Sequence, residues 1–224
     1  MSASETKPYR GLSMEGPIAG WYARNVGKDL APYRELAKRI ARDLPPGADI
    51  LDLACGPGYL AIAFAALGRY RVTGLDISDR FIRIASTKAQ EAGVAVTLRK
   101  GNAADMPFAE KRFDAILCRA AFKNFAQPDV ALNEIYRVLK PGGFAVIVDL
   151  DPNASPQAIR DAVNAMPIGA INRTITHLTF KHMLLKRARS AGALTALAAA
   201  SRFGGGEIRR EGISLELWLR KPAG

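Results

Sequence analysis

Ile50-Leu51-Asp52-Leu53-Ala54-Cys55-Gly56-Pro57-Gly58-Tyr59-Leu60 is the stretch that decides the fold. Ile50, Leu51 and Leu53 are apolar and suit a strand, while Ala61-Ile62-Ala63-Phe64-Ala65-Ala66-Leu67 beyond them is strongly helix-forming. The segment reads as a short buried strand, a glycine turn and the start of a helix. Gly56 and Gly58 lack the Cβ atoms that would hold a ligand away from the backbone, and the first helical N–H groups face the space beyond the strand. A second apolar run, Tyr70-Arg71-Val72-Thr73-Gly74-Leu75, ends in Asp76, 20 residues past Gly56. An acid at that distance is placed to hold a ribose hydroxyl. The turn is therefore expected to cradle a nucleoside.

Working upstream, residues 1–16 are polar and broken by Pro8, Gly11 and Gly16, which suits a loose arm. Pro17 is placed to open a helix through Trp21 and Tyr22, and Leu30 to Leu44 reads as a second helix with Leu36, Ile40 and Leu44 on one face. Pro45-Pro46-Gly47 stops it. Trp21 and Tyr22 either cover a ligand or anchor their helix to the core. Downstream, Asp79 is expected to cap a helix reaching Glu91, and Val94 to Arg99 forms a third strand. Phe113 to Cys118 forms a fourth strand, Asp129 to Leu139 an amphipathic helix and, after Pro141-Gly142-Gly143, Phe144 to Leu150 a fifth strand. Strands alternating with helices imply βαβ units and a mainly parallel sheet. From Asp151 the pattern changes. Helices are expected over Ser155–Met166, Arg173–Arg189 and Ala191–Ala200, and Glu207–Arg210 and Ile213–Leu219 alternate as an antiparallel hairpin around Glu211-Gly212. The expected fold class is α/β: a three-layer Rossmann-like sandwich whose mainly parallel seven-stranded sheet ends in an antiparallel C-terminal hairpin. The organisation follows as an N-terminal arm and cap helices (1–44), a cofactor-binding core (45–150), a helical insertion covering the substrate (151–203) and the hairpin (204–224).

With 224 residues, 49% of them hydrophobic, the chain has enough to bury a proper core. No apolar run approaches the ~18 residues of a membrane span, and the N-terminus lacks the apolar stretch of a signal peptide. Cys55 and Cys118 form no metal-binding spacing and sit where free cysteine packs as a small hydrophobe. A cytoplasmic location is the expectation. The net charge is +11, and residues 155–224 carry 11 basic groups against 4 acidic ones. That bias attracts anions, but no aromatic residues interleave with it as a stacking platform requires. A nucleic-acid partner is thus disfavoured, and a homodimer is compatible with the composition.

Two nucleoside cofactors compete for the turn. Gly56-Pro57-Gly58-Tyr59-Leu60-Ala61 fits the Gly-x-Gly-x-x-Gly/Ala pattern of NAD(P)-dependent oxidoreductases. Four features point elsewhere. Asp52, inside the strand, repels a pyrophosphate but suits an α-amino group. Two helices precede the first strand. The loop Gly101-Asn102-Ala103-Ala104-Asp105-Met106-Pro107-Phe108 bears an amide suited to an adenine edge. A hairpin closes the chain where a second mononucleotide half is expected.

With these residues in place, the sequence resembles the class I S-adenosylmethionine-dependent methyltransferases, small-molecule branch, of the ubiquinone/menaquinone type. The motifs run in order over residues 45–150: Asp52 to Gly58, Leu75-Asp76-Ile77-Ser78, Gly101 to Phe108, and Phe113 to Cys118 followed by Arg137-Val138-Leu139-Lys140-Pro141-Gly142-Gly143. The resemblance implies that Asp52 and the backbone of Ala54 and Gly56 hold the methionine end of S-adenosyl-L-methionine, with Gly58 keeping the loop tight. Asp76 would accept both ribose hydroxyls, Ile77 pack on the adenine, and Asn102 with the Ala103 backbone read its edge. Arg119, just past the fourth strand, joins the cofactor set. The family more often carries Asp at position 102, and an amide oxygen accepts a proton there without charge assistance.

The implied reaction is an in-line methyl transfer to an O, N or C atom of a small, anionic or aromatic acceptor, leaving S-adenosyl-L-homocysteine. Alignment and a dry cavity are the protein's main contributions. Beside the transferred methyl the family often carries histidine, whereas this chain has Lys123 and Asn124, so no obvious base is present. Lys123 either holds an anionic substrate, stabilises a phenolate, or is a solvated loop lysine. His177 and His182 fall in the insertion that covers the substrate, and their spacing puts no metal on one helix face. A nucleic-acid methyltransferase and a non-catalytic cofactor-binding protein remain as alternatives.

Overall fold

The computed structural model describes residues 9, 19, 20, 23, 24, 27, 29–165, 185 and 188–224. Its elements are α1 (Ala31–Ile40) with a 3-10 turn (Ala41–Asp43), β1 (Asp49–Leu53), α2 (Tyr59–Ala65), β2 (Arg71–Asp76), α3 (Asp79–Glu91), β3 (Thr97–Lys100), β4 (Phe113–Arg119), a 3-10 turn (Phe122–Asn124), α4 (Pro128–Val138), β5 (Leu139–Leu150), α5 (Pro156–Asn164), α6 (Ala191–Ala200), β6 (Glu207–Glu211) and β7 (Ser214–Arg220). The seven strands form one sheet in the order β3-β2-β1-β4-β5-β7-β6. Pairings from β3 to β5 are parallel, and β7 runs antiparallel to both β5 and β6. The expected fold class holds. Chain direction across the sheet reverses between β1 and β4, and in such sheets ligands bind beyond the carboxyl ends of the strands at that point.

Alternating side chains give the sheet two apolar faces. On one, Leu51, Leu53, Ile116 and Ile147 pack with Leu132 and Ile135 of α4 and Leu194 and Ala198 of α6. On the other, Ile50, Val72, Ala115, Leu117 and Val146 pack with Leu36 and Ile40 of α1 and Leu60 and Phe64 of α2. The apolar stripe expected of the helix after Leu30 is thus buried, although regular helix ends at Ile40 and Leu44 follows the 3-10 turn. The Arg39 guanidinium of α1 meets the buried Glu216 carboxylate of β7, which also accepts the Trp218 indole N–H at 3.0 Å. This ties α1 to the sheet.

Three boundaries differ from expectation for physical reasons. Ser78, not Asp79, is the N-cap of α3: its hydroxyl accepts the Phe81 N–H at 3.1 Å, and Asp79 is the first helical residue. β5 begins at Leu139 rather than Phe144, because Pro141-Gly142-Gly143 is accommodated as a bulge. Phe113 faces Leu139 and Ala115 faces Phe144, so two steps along β4 match five along β5. β3 covers only Thr97–Lys100, leaving Val94 to Val96 as connection. The helix expected over Arg173–Arg189 lies almost wholly outside the described residues.

At the end of the sheet away from the glycine turn, the buried Asp49 carboxylate gathers three cations. Arg71 donates to it through two nitrogens at 2.9 and 2.8 Å, Arg112 lies at 2.6 Å and Lys140 at 3.1 Å. Lys140 also bridges to Asp114 at 2.7 Å, and the Asp49 N–H donates to the same Asp114 oxygen at 2.7 Å. The Arg71 pairing, reinforced by Arg112 and Lys140, holds the Asp49 carboxyl well below the usual carboxylate range.

Candidate active site

The carboxyl ends of β1 and β2 carry the two acids that the sequence singled out. Asp52, 3% exposed, accepts the Ala61 N–H of α2 at 3.0 Å. Burial pushes its carboxyl up to about 7, and nearby Asp76 adds to the shift, while the Ala61 hydrogen bond and Arg119 oppose it. Asp76 accepts the Gly56 N–H at 2.8 Å through one oxygen and the Ser78 N–H at 2.9 Å through the other. The acid thereby holds the glycine turn against β2.

The turn itself runs through left-handed backbone: φ is 57° at Ala54, 51° at Gly56 and 82° at Gly58. The two glycines differ in what they make room for. A Cβ at Gly58 would lie 2.8 Å from the Ala85 Cβ of α3, so this glycine serves close packing. A Cβ at Gly56 would meet nothing within 4 Å, so its missing side chain leaves open space over the strand end. That opening lies at the turn whose Gly56 N–H is held by Asp76, with Asp52 in the strand before it. Gly101 N–H donates to the Asp76 carbonyl at 2.9 Å, which brings the loop after β3 beside β2. Asn102 and Ala103 are half-buried there, and Ile77 is 37% exposed, a large apolar side chain left uncovered next to the acid. The Asn102 oxygen accepts the Ala104 N–H at 3.0 Å.

Beyond β4, Ala120 adopts φ 59° and the chain turns back over the sheet. The Lys123 side chain is buried rather than solvated. Its Nζ donates to Asp149 of β5 at 2.8 Å and to the Ala120 carbonyl at 2.7 Å, and its own N–H donates to the second Asp149 oxygen at 2.9 Å. The two side chains are 9% and 5% exposed. This buried pair fastens the loop after β4 to β5 and overturns the alternative of a solvated Lys123. Arg119, the last residue of β4, lies with its guanidinium 4.2 Å from the centre of the Tyr33 ring of α1.

The structure thus brings Asp52, Ala54, Gly56, Gly58, Asp76, Ile77, Asn102 and Ala103 to one end of the sheet, with Arg119 beside Asp52. Lys123 stands apart in its own ion pair. Trp21, Tyr22, His177 and His182 lie outside the described residues. Sequence reading missed Tyr33 and Asp149. Asp149 follows the apolar run Val146-Ile147-Val148 as Asp76 follows its own, which is the signal that could have found it. Burial pushes the Cys55 and Cys118 thiols well above their ordinary range, which removes both as nucleophiles. Among the described residues no three acids, histidines or cysteines gather as a metal site, and no helix is long and apolar enough to cross a membrane.

The strand order and the glycine turn at the sheet's carboxyl end define a Rossmann-like domain. Residues 51–147 match the family model described as "Methyltransferase domain". A demethylmenaquinone methyltransferase of Thermus thermophilus is 38% identical over 130 residues, covering 57% of this chain and 58% of that protein. A 2-phytyl-1,4-naphtoquinone methyltransferase of Synechococcus elongatus is 34% identical over 115 residues, covering 50% and 49%. The chain therefore spans about half the length of these curated relatives. A solved structure from Methanococcus maripaludis, provisionally described as an S-adenosyl-L-methionine-dependent methyltransferase, superposes with a TM-score of 0.78 over 100% of this chain and 98% of that one, at 21% identity. The last likeness speaks to fold. Residues 51–147 are thus similar to a methyltransferase domain, and the fold is the one seen in the Methanococcus structure.

Proposed function

We propose that this chain is a methyltransferase that moves a methyl group from S-adenosylmethionine to a small aromatic acceptor of the quinone type. The observation that carries the reading is the open space over Gly56, bounded by Asp52 and Asp76, within a segment that matches the methyltransferase family. When bound, the cofactor supplies an electrophilic methyl on a sulfonium, whose departure as a thioether needs no proton. The chain's residues bind and align. Asp76 accepts the ribose hydroxyls, Ile77 covers the adenine, and Asn102 and the Ala103 backbone meet the base edge. Asp52 faces the amino group of the methionine tail, and Gly58 fixes the turn against α3.

The names of the two quinone methyltransferases support the acceptor class. A reduced quinone ring is rich in electrons at carbon and oxygen, so it asks little of a protein base. This suits a site where Lys123 is engaged by Asp149. The segment between β5 and β6 serves as the substrate cover in this reading. The reading assigns intramolecular roles to several basic residues of the last third: Arg209 lies on the Trp218 ring, Arg202 and Lys221 lie on the Tyr136 ring, and the Lys221 ammonium also caps α4 through the Tyr136 and Leu139 carbonyls at 2.8 and 2.7 Å. The test is turnover. Purified protein, S-adenosylmethionine and a chemically reduced, ring-unmethylated naphthoquinone are expected to yield S-adenosylhomocysteine and a methylated ring. Absence of product with every reduced quinone tried, from protein that binds S-adenosylhomocysteine, would overturn the acceptor class.

A further inference from the structure

Arg119 ends β4 on the same sheet face as Asp52. Asp52 pairs with Leu117 in the β1–β4 ladder, and Arg119 lies two residues further along, so its side chain points to the same side. The guanidinium carbon lies over the Tyr33 ring, 4.2 Å from its centre. Tyr33 is itself packed 5.8 Å, ring to ring, from Tyr59, the first residue of α2 after the glycine turn. Its helix is fixed to β7 through Arg39 and Glu216. Among the described residues Arg119 makes no hydrogen bond or ion pair with a carboxylate. Stacking occupies the π-face of a guanidinium and leaves the N–H groups at its edge directed outward. A half-buried cation in that state matches a planar carboxylate, which takes the edge through two parallel hydrogen bonds.

We propose that the Tyr33–Arg119 stack is the receptor for the carboxylate of the cofactor's methionine tail, with Tyr33 as the positioning residue. The inference rests on the cofactor reading above. It completes a pairing of opposite signs: the ammonium of the tail meets Asp52, and the carboxylate meets Arg119 on the neighbouring strand. Tyr33 acts through Arg119. Without the ring, the arginine side chain regains its rotamers, and each hydrogen bond to the ligand must then order it afresh.

Isothermal titration with two ligands tests this. S-adenosylhomocysteine carries the amino-acid tail, and 5′-methylthioadenosine has the same nucleoside and sulfur without it. Arg119→Gln and Tyr33→Ala are expected to weaken S-adenosylhomocysteine by about tenfold or more, the loss expected of a charge-assisted pair, and to leave 5′-methylthioadenosine within about twofold. Tyr33→Phe keeps the stacking face and is expected to restore S-adenosylhomocysteine to near wild-type affinity. The inference is overturned if Arg119→Gln changes S-adenosylhomocysteine binding by less than about threefold, which would assign the arginine to an anionic acceptor, or if both ligands weaken together. Unliganded melting temperatures identify a variant that fails to fold, and the Arg119→Gln and Tyr33→Phe arms decide the matter if Tyr33→Ala does. Wild-type protein that binds neither ligand would instead sink the cofactor reading.

Discussion

Replacing Lys123 by methionine strands a buried carboxylate. In the folded protein Asp149 is 5% exposed and receives three donors besides its cation's charge: Lys123 Nζ at 2.8 Å, Lys123 N–H at 2.9 Å and Leu150 N–H at 3.1 Å. Lys123→Met removes the charge and the Nζ hydrogen bonds to Asp149 and the Ala120 carbonyl, while the two backbone donors stay. Breaking a buried pair from one side costs about 3–5 kcal/mol, and the retained donors put this case near the lower end, about 3 kcal/mol. Lys123→Met/Asp149→Leu removes the stranded charge as well. It leaves two N–H groups to find other acceptors, at about 1 kcal/mol each. The cycle should therefore show a coupling of roughly 2 kcal/mol or more between the two side chains. Urea denaturation of wild type, both single variants and the double variant provides the assay. A Lys123→Met protein within about 1 kcal/mol of wild type, or additive losses, would refute the claim that this pair fastens the loop after β4.

Other expectations concern pH and the turn. Binding of the cofactor's ammonium favours ionised Asp52, whose carboxyl burial raises to about 7 with Asp76, Arg119 and the Cys55 thiol as its ionisable neighbours. The free protein must then release a proton to bind at low pH, so affinity for S-adenosylhomocysteine should fall about tenfold from about pH 8 to about pH 6. Titration calorimetry should show Asp52→Asn abolishing that slope; a flat wild-type profile would contradict it. The Asp49 carboxyl is lowered in the folded state, so its contribution is fully present above the unfolded value near 4 and is lost as pH falls through its lower folded one. Asp49→Asn should cost about 2 kcal/mol in urea at neutral pH and flatten the acid limb of stability below about pH 4, and unchanged acid unfolding would refute it. Gly56→Ala and Gly58→Ala should separate binding from folding. Both add about 1–2 kcal/mol of left-handed strain, but only position 58 also collides with Ala85. Thermal melts should show Gly58→Ala as clearly the less stable, while Gly56→Ala loses cofactor affinity from a fold that persists.

Much of this was legible in the residues. Two apolar runs, one containing Asp52 and one ending in Asp76, with a glycine turn between, specify strand ends, a helix start and an acid beside it, because each signal is local. The hairpin at the C-terminus was equally clear from its alternation. Partners set by register were not. Lys123 and Asp149 are 26 residues apart, and only the β4–β5 pairing brings them together, so the sequence left Lys123 open between substrate and solvent. Tyr33 meets Arg119 only because α1 packs on the same sheet face, a matter of tertiary contact rather than pattern. The Asn102 oxygen looked free for adenine, yet an amide at a turn bonds its own backbone two residues on, here Ala104. The choice between Ser78 and Asp79 as cap turned on one residue where both side chains accept the same kind of hydrogen bond.

The central claim is that the space over Gly56, closed by Asp76, holds S-adenosylmethionine. Its most direct test is calorimetric titration of S-adenosylhomocysteine into wild-type protein and into Asp76→Ala, with unliganded melting curves for both. The account predicts saturable one-to-one binding to wild type and a loss of about a hundredfold in Asp76→Ala, since the acid supplies two charged hydrogen bonds to the ribose and also holds the turn at Gly56. Equal affinity in a folded Asp76→Ala protein, or no binding to wild type, would contradict it.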